Sequence, residues 1–166
     1  MWGVEMIRDK WIVKKALPED ADRWFELASA VRDDFCGLDL SKDAKYLSGI
    51  TKNMRRGTAI YVEDDSIDNC PIIGAMSFSL KQNHISWLAV HPNYRKRGVA
   101  SSLMDTALQE LDHSEKIRVK TFRDDDKYGK PARSFYKKHG FEEGETLEDE
   151  NYPHPVQVFT KIVNDE

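Results

Sequence analysis

Residues 85–104, ISWLAVHPNYRKRGVASSLM, constrain this chain more than any other stretch. The segment begins as an apolar strand and ends as a helix with an apolar stripe. The junction holds three consecutive cations, Arg95, Lys96 and Arg97, and then the small residues Gly98 and Ala100. The first turn of a helix leaves backbone N–H groups without partners, and the helix dipole adds partial positive charge there. Small residues let a ligand approach that backbone closely. The combination suits a phosphate or pyrophosphate. It is neither a GxxxxGK[ST] loop nor a GxGxxG turn. Read alone, Gly98 serves equally well as a helix cap inside a basic turn.

The flanking pattern sets the fold class. A short strand is expected over residues 10–17, then helices over 18–35 and 41–57. The second helix has Ser41 as its cap and Gly57 as its stop. Strands follow at 58–64, 71–80 and 84–90. A helix is expected at 100–111, where Leu103, Met104, Ala107 and Leu111 share a face. A strand at 116–122, a helix at 131–140 and a closing strand at 156–163 complete the order, with room for one more strand near the end. Antiparallel strands followed by strand–helix–strand imply an α/β fold with a central mixed sheet flanked by helices. The 166 residues suit one domain, 1–166. Ligands of such sheets bind where a strand feeds a helix.

Composition narrows the function classes. The chain is 33% charged with a formal net charge of −4, which argues against broad nucleic-acid binding. No apolar run approaches the ~18–20 residues that span a bilayer, and the first fifteen residues lack a continuous apolar segment of the signal-peptide kind. Cys36 and Cys70 read as reduced thiols, so a cytoplasmic location is expected. No spacing of His, Cys or acids suggests a metal site. The acids of RDDDKYG and EEGETLEDE read as solvated surface.

HPNYRKRGVASSLM resembles the acyl-CoA-binding motif of the GNAT acetyltransferase superfamily: Arg95-x-x-Gly98-x-Ala100, preceded by LAVHPNY. PARSFYKKHGF, residues 131–141, resembles that superfamily's second conserved segment. The likeness is specific from about residue 72 to 141 and rests on topology elsewhere. Two departures stand out. Many members carry Gly where Lys96 stands, and many carry Asn, contacting the CoA arm, where Gly129 stands.

The resemblance implies a GNAT-like N-acyltransferase fold and direct transfer of acetyl from acetyl-CoA, a co-substrate, to an amine, with no metal. By position, the segment Arg95, Lys96, Arg97, Gly98, Val99, Ala100 and Ser101 would hold the pyrophosphate, mainly through amides. The backbone of Leu88, Ala89 and Val90 would pair with the pantetheine arm as an added strand. The Leu88 amide would bond the thioester oxygen. Tyr136 would protonate the departing thiolate, although its helix spacing also suits a core aromatic. His84 stands where some relatives keep a catalytic Glu. Unless a bulge intervenes, strand alternation puts it on one face with Ser86, Leu88 and Val90. An exposed turn His is the competing reading. His91 reads as structural, and no partner is legible for His113, His139 or His154.

The acceptor pocket is expected around Trp24, Asp34, Phe35, Met76, Phe78 and Tyr152, with Asp34 attracting a cationic amine. The acceptor would be a small amine or a peptide or protein amine. A homodimer is compatible with the reading; membrane and nucleic-acid partners are not expected. A CoA-binding module without catalysis is an alternative. So is an enzyme that acetylates aminoacyl-tRNA, which the acidic balance disfavours.

Overall fold

Seven strands form one sheet in the order β1-β2-β3-β4-β5-β7-β6 in a computed structural model that describes residues 11–162. They are β1 (Lys14–Lys15), β2 (Ala59–Glu63), β3 (Ile72–Ser79), β4 (His84–Val90), β5 (Ile117–Phe122), β6 (Glu142–Leu147) and β7 (Val156–Lys161). Helices α1 (Ala21–Ala30) and α2 (Ala44–Arg56) join β1 to β2. Helix α3 (Val99–Glu110) joins β4 to β5, and α4 (Lys130–Lys138) precedes β6. Every neighbouring pair is antiparallel except β4 and β5. The mixed sheet between helices matches the α/β architecture expected from the element order. No described helix is long and apolar enough to cross a membrane.

Two cores explain the sequence of the central strands. One face packs Trp24, Leu27 and Ala28 of α1 and Ile50 and Met54 of α2 against Ala59, Ala75 and Trp87. The other packs Leu103, Met104 and Ala107 of α3 with Tyr136 of α4 against Ile60, Met76, Phe78 and Phe159. Covered on both sides, β3 is buried almost throughout, which is why it reads as a continuous apolar run rather than an alternation. Gly74 of β3 sits under the first residue of α3. A Cβ there would meet Val99 Cγ1 at 2.4 Å, so only glycine lets that helix start lie so close to the sheet.

Local details differ from the expectation, or fill it in, at four places. The first strand shrinks to Lys14–Lys15; Lys10 lies outside the described residues, as does the last expected residue of the closing strand, Val163. Helix α2 is capped by Asp43, whose carboxylate accepts from the amides of Lys45 and Tyr46 at 2.9 and 3.2 Å, and not by Ser41. Ser41 belongs to a separate 3-10 turn, Leu40–Lys42, that Asp39 caps. The acidic run after Phe141, expected as solvated surface, is exposed and supplies edge strand β6, the further strand for which the element order left room.

The fourth concerns β4. Ser77 faces Trp87 and Phe78 faces Ile85, so Ser86 is an extra residue, a bulge. The bulge reverses the alternation. His84 therefore shares its face with Trp87, on the side of α1 and α2, and not with Leu88.

Candidate functional site

The turn between β4 and α3 is built by local capping. His91 accepts the amide of Asn93 through Nδ1 at 3.1 Å, and the amide of Tyr94 bonds the His91 carbonyl at 2.9 Å. The chain then takes left-handed backbone twice, at Lys96 (φ 63°) and Gly98 (φ 86°). Lys96 thus follows the path for which many GNAT sequences use glycine. The first α3 hydrogen bond runs from the amide of Ser102 to the Gly98 carbonyl at 3.0 Å. The amides of Val99, Ala100 and Ser101 precede it and have no intrahelical acceptor. They form the donor set that a diphosphate requires.

The three cations are held differently. Arg97 lies against the rings of Trp11 and Tyr94, each centroid 5.3 Å from its guanidinium carbon, and its carbonyl accepts the Trp11 indole N–H at 2.8 Å. Arg95 bonds the Val90 carbonyl through Nε and Nη2 at 3.2 and 3.1 Å and pairs with Asp34. Asp34, expected to attract an amine, lines the cleft beside this turn but is paired with Arg95. Left-handed backbone at a non-glycine residue costs about 1–2 kcal/mol. Lys96→Gly is therefore expected to raise stability by about 0.5–1 kcal/mol, after the glycine's greater unfolded-state entropy is subtracted. Denaturant unfolding would show this as a higher midpoint with an unchanged slope.

β4 and β5 pair only at His84–Arg118 and Ile85–Val119. Beyond those pairs the strands part, and the gap opens into a cleft of about 1730 Å³ lined by Leu88, Ala89 and Val90, the start of α3, and Tyr136. Backbone groups of β4 that would complete a ladder with β5 face this gap. An extended arm inserted there has a strand edge to pair with. The residues thus fit the acyl-CoA group expected from sequence: a helix start free of large side chains, cations beside it, and an open strand edge leading inward.

Helix α4 carries Tyr136 into the cleft wall. The helix is fastened by Arg133, buried against the Phe159 ring, which donates to Gln157 Oε1 at 2.5 Å and to the Phe122 carbonyl at 3.3 Å and pairs with Glu143 at 3.0 Å. It stops at Gly140, where the Gly140 and Phe141 amides return to the Lys137 and Tyr136 carbonyls, each at 3.0 Å. Phe135, Phe141 and Phe159 surround the Tyr136 ring at 5.6, 5.7 and 6.3 Å. The Tyr136 hydroxyl has no hydrogen-bond partner among the described residues. Burial, with Tyr152 as a lesser cause, pushes its pKa well above the usual 10, so it stays a donor through the neutral range. His139, without a legible partner in the sequence, meets Ser101 Oγ at 3.2 Å and ties the two helices together. Gly129 is enforced by space: a Cβ would lie 2.7 Å from the Arg123 carbonyl oxygen and 2.8 Å from that of Phe122. The asparagine of many relatives does not fit this turn.

On the other side of the sheet the cleft is aromatic. Phe35 stacks on Trp87 at 5.9 Å, and Tyr46 meets the same indole edge-on at 5.4 Å. Trp24 stands behind them, fully buried, donating to the Tyr46 hydroxyl at 3.0 Å. Trp24, Met76 and Phe78 are core residues and do not line the cleft, which corrects their expected place in the acceptor wall. Phe35 and Tyr152 do line it. Sequence reading missed Trp87 and Tyr46, whose only local signal was an aromatic residue on an otherwise ordinary strand or helix. His84 lines the same part of the cleft. Its imidazole is held below the ordinary 6.5 by burial first and by the Lys120 charge second. His154, also without a legible partner in the sequence, meets Asp126 at 2.6 Å and Cys36 Sγ at 3.5 Å, fastening the β6–β7 loop beside the cleft. No group of three or more metal-ligating side chains gathers among the described residues.

The fold is shared with solved acetyltransferases. A GNAT-family acetyltransferase from Bacillus cereus superposes with a TM-score of 0.68 at 21% identity, over 95% of this chain and 100% of that one. The PaiA N-acetyltransferase of Thermoplasma acidophilum, solved with coenzyme A, gives 0.69 at 16% identity over 93% and 99%. A chain of the NatC complex bound to Gag peptide and CoA gives 0.68 at 18% identity over 94% and 100%. No curated protein matches the sequence. The family profile described as acetyltransferase (GNAT) domain matches residues 56–143, the span from the end of α2 through the cleft-lining strands and α4 to the start of β6. The chain belongs to the GNAT acetyltransferase family and is an acyl-CoA-dependent N-acetyltransferase.

Proposed function

We propose that this enzyme acetylates the amine of a small molecule or of a peptide or protein, with donor and acceptor meeting where β4 and β5 part. The observation that carries the reading is that separation, bordered by the open start of α3 and by the unpartnered Tyr136 hydroxyl. Acetyl-CoA, when bound, supplies an acetyl group activated as a thioester. The amides from Lys96 to Ser101 bind the diphosphate, and Leu88, Ala89 and Val90 align the arm. The Leu88 amide faces the developing charge on the thioester oxygen. Tyr136 delivers its proton to the leaving sulfur. The peptide held by the NatC relative, and the aromatic side of the cleft here, keep a peptide acceptor within the reading.

An amine acceptor must lose a proton before it attacks. His84 faces the α1–α2 side, and its depressed pKa leaves it neutral and able to accept at pH 7. The pH–rate profile should therefore rise through a limb below 6.5 and be flat above it. His84→Ala should remove that limb and lower the plateau, while calorimetry shows unchanged acetyl-CoA binding. A parent-like profile in the mutant assigns the proton to water. The primary experiment is acetyl-CoA turnover over amines, polyamines, amino acids and peptides, with free thiol measured. Absence of both binding and turnover would remove the reading.

A further inference from the structure

The α1–α2 side of the cleft presents donors that have no acceptor among the described residues. Arg118 is the β5 partner of His84, so the two side chains share one face, and Lys120 follows two residues on. All three line the cleft; Lys45, Gly49 and Asn53 of α2, one turn apart, line it opposite them. Two nearby acids and one of the cations are already engaged. Asp149 pairs with Lys120 at 2.7 Å, Asp43 caps α2, and Lys45 is bonded to Asn151. Glu150 is exposed at the rim. Arg118 is exposed to the cleft's solvent, and its guanidinium has no acceptor among the described residues, so it is available to a ligand. The buried Trp87 indole N–H on the same face has no acceptor among them either.

Resting on the acetyltransferase reading, we infer that the acceptor is a compact amine bearing an anionic group, carboxylate or phosphate, which Arg118 binds while the amine faces His84. A guanidinium presents five donors in a planar fork that fits either anion with two parallel hydrogen bonds. Adjacent strands lie about 4.8 Å apart, so an amine at His84 and an anion at Arg118 are separated by only a few bonds. That spacing fits an amino acid or an aminoalkyl phosphate and gives a long polyamine no role for Arg118. Arg118 is thus a specificity-determining residue rather than a catalytic one.

Matched acceptors test this. An α-amino acid is compared with its carboxamide and its decarboxylated amine, and ethanolamine phosphate with ethanolamine. The acid arm or the phosphate arm should exceed its neutral counterpart by about 10–100-fold in kcat/KM, and the arm that gains identifies the anion. Arg118→Gln should bring that ratio to about one, mainly through KM, and Arg118→Lys should restore part of it. A ratio near one in the parent protein, or one that survives Arg118→Gln, overturns the inference. If no acceptor in the panel turns over, the CoA-loaded protein is titrated with an N-acetylated amino acid, the corresponding amide, and N-acetyl ethanolamine phosphate. Preference for an anion that Arg118→Gln abolishes supports the inference, and no preference overturns it. Loss of acetyl-CoA binding itself would sink both readings; intact CoA binding without anion preference sinks this one alone.

Discussion

Gly98→Glu is expected to weaken acetyl-CoA binding by about 10³-fold while leaving the protein folded. Gly98 sits in left-handed backbone at the start of α3, where a side chain costs about 1–2 kcal/mol. That is well below the 5–15 kcal/mol typical of a folded protein, and Lys96 already occupies left-handed backbone two residues earlier. The larger effect is electrostatic. A carboxylate about 4 Å from a bound phosphate, in surroundings of effective dielectric near 20, repels it by roughly 4 kcal/mol. The same carboxylate also competes for the amides of the first helical turn, where anions are favoured. Gly98→Ala separates the two causes, because it carries the strain without the charge and should cost far less affinity. Calorimetry with acetyl-CoA, beside circular dichroism for the fold, measures both. Undiminished affinity in folded Gly98→Glu would move the diphosphate away from this turn.

What the sequence made legible here was local. The β4–turn–α3 unit announces itself because strand, cations, small residues and helix stripe lie within twenty contiguous positions. The stop of α4 is equally local, since Gly140 and Phe141 close the helix on its own last turn. Features that depend on another strand or on a distant side chain were hidden. The bulge at Ser86 exists only relative to the register of β3, so the face of His84 could not be counted from β4 alone. Asp34 looked available until Arg95, 61 residues away in sequence, claimed it. Asp43 rather than Ser41 caps α2 because Asp39 captures the Ser41 amide and hydroxyl at 3.0 and 2.5 Å, making a separate turn. Strand β6 lies at the sheet edge with five of its six residues exposed, so it shows no apolar alternation. The aromatic wall of the cleft needed tertiary structure for the same reason. Trp24 and Phe78 belong to the buried cores, whereas Phe35, Tyr46 and Trp87 come together from three separate elements.

Tyr136→Phe should lower kcat by about 10²–10³-fold with acetyl-CoA affinity changed by less than about threefold. The ring's packing against Phe135, Phe141 and Phe159 does not depend on the hydroxyl. That hydroxyl has no hydrogen-bond partner among the described residues, so removing it leaves none of their buried groups unsatisfied, and stability should move by less than about 1 kcal/mol. What disappears is a proton donor in the cleft wall. Burial holds the folded pKa above 10, so the phenol is protonated at every pH of a normal assay, and the loss should be uniform from pH 6 to 9. This flat deficit distinguishes Tyr136 from His84, whose removal alters the shape of the profile below pH 6.5. General acids commonly contribute about 10²–10⁴-fold, and the open cleft admits water that replaces part of the function, which places the expectation at the lower end. Single-turnover rates with preloaded acetyl-CoA isolate the chemical step from product release. A single-turnover rate equal to that of the parent would make Tyr136 a packing residue and leave protonation of the thiolate to solvent.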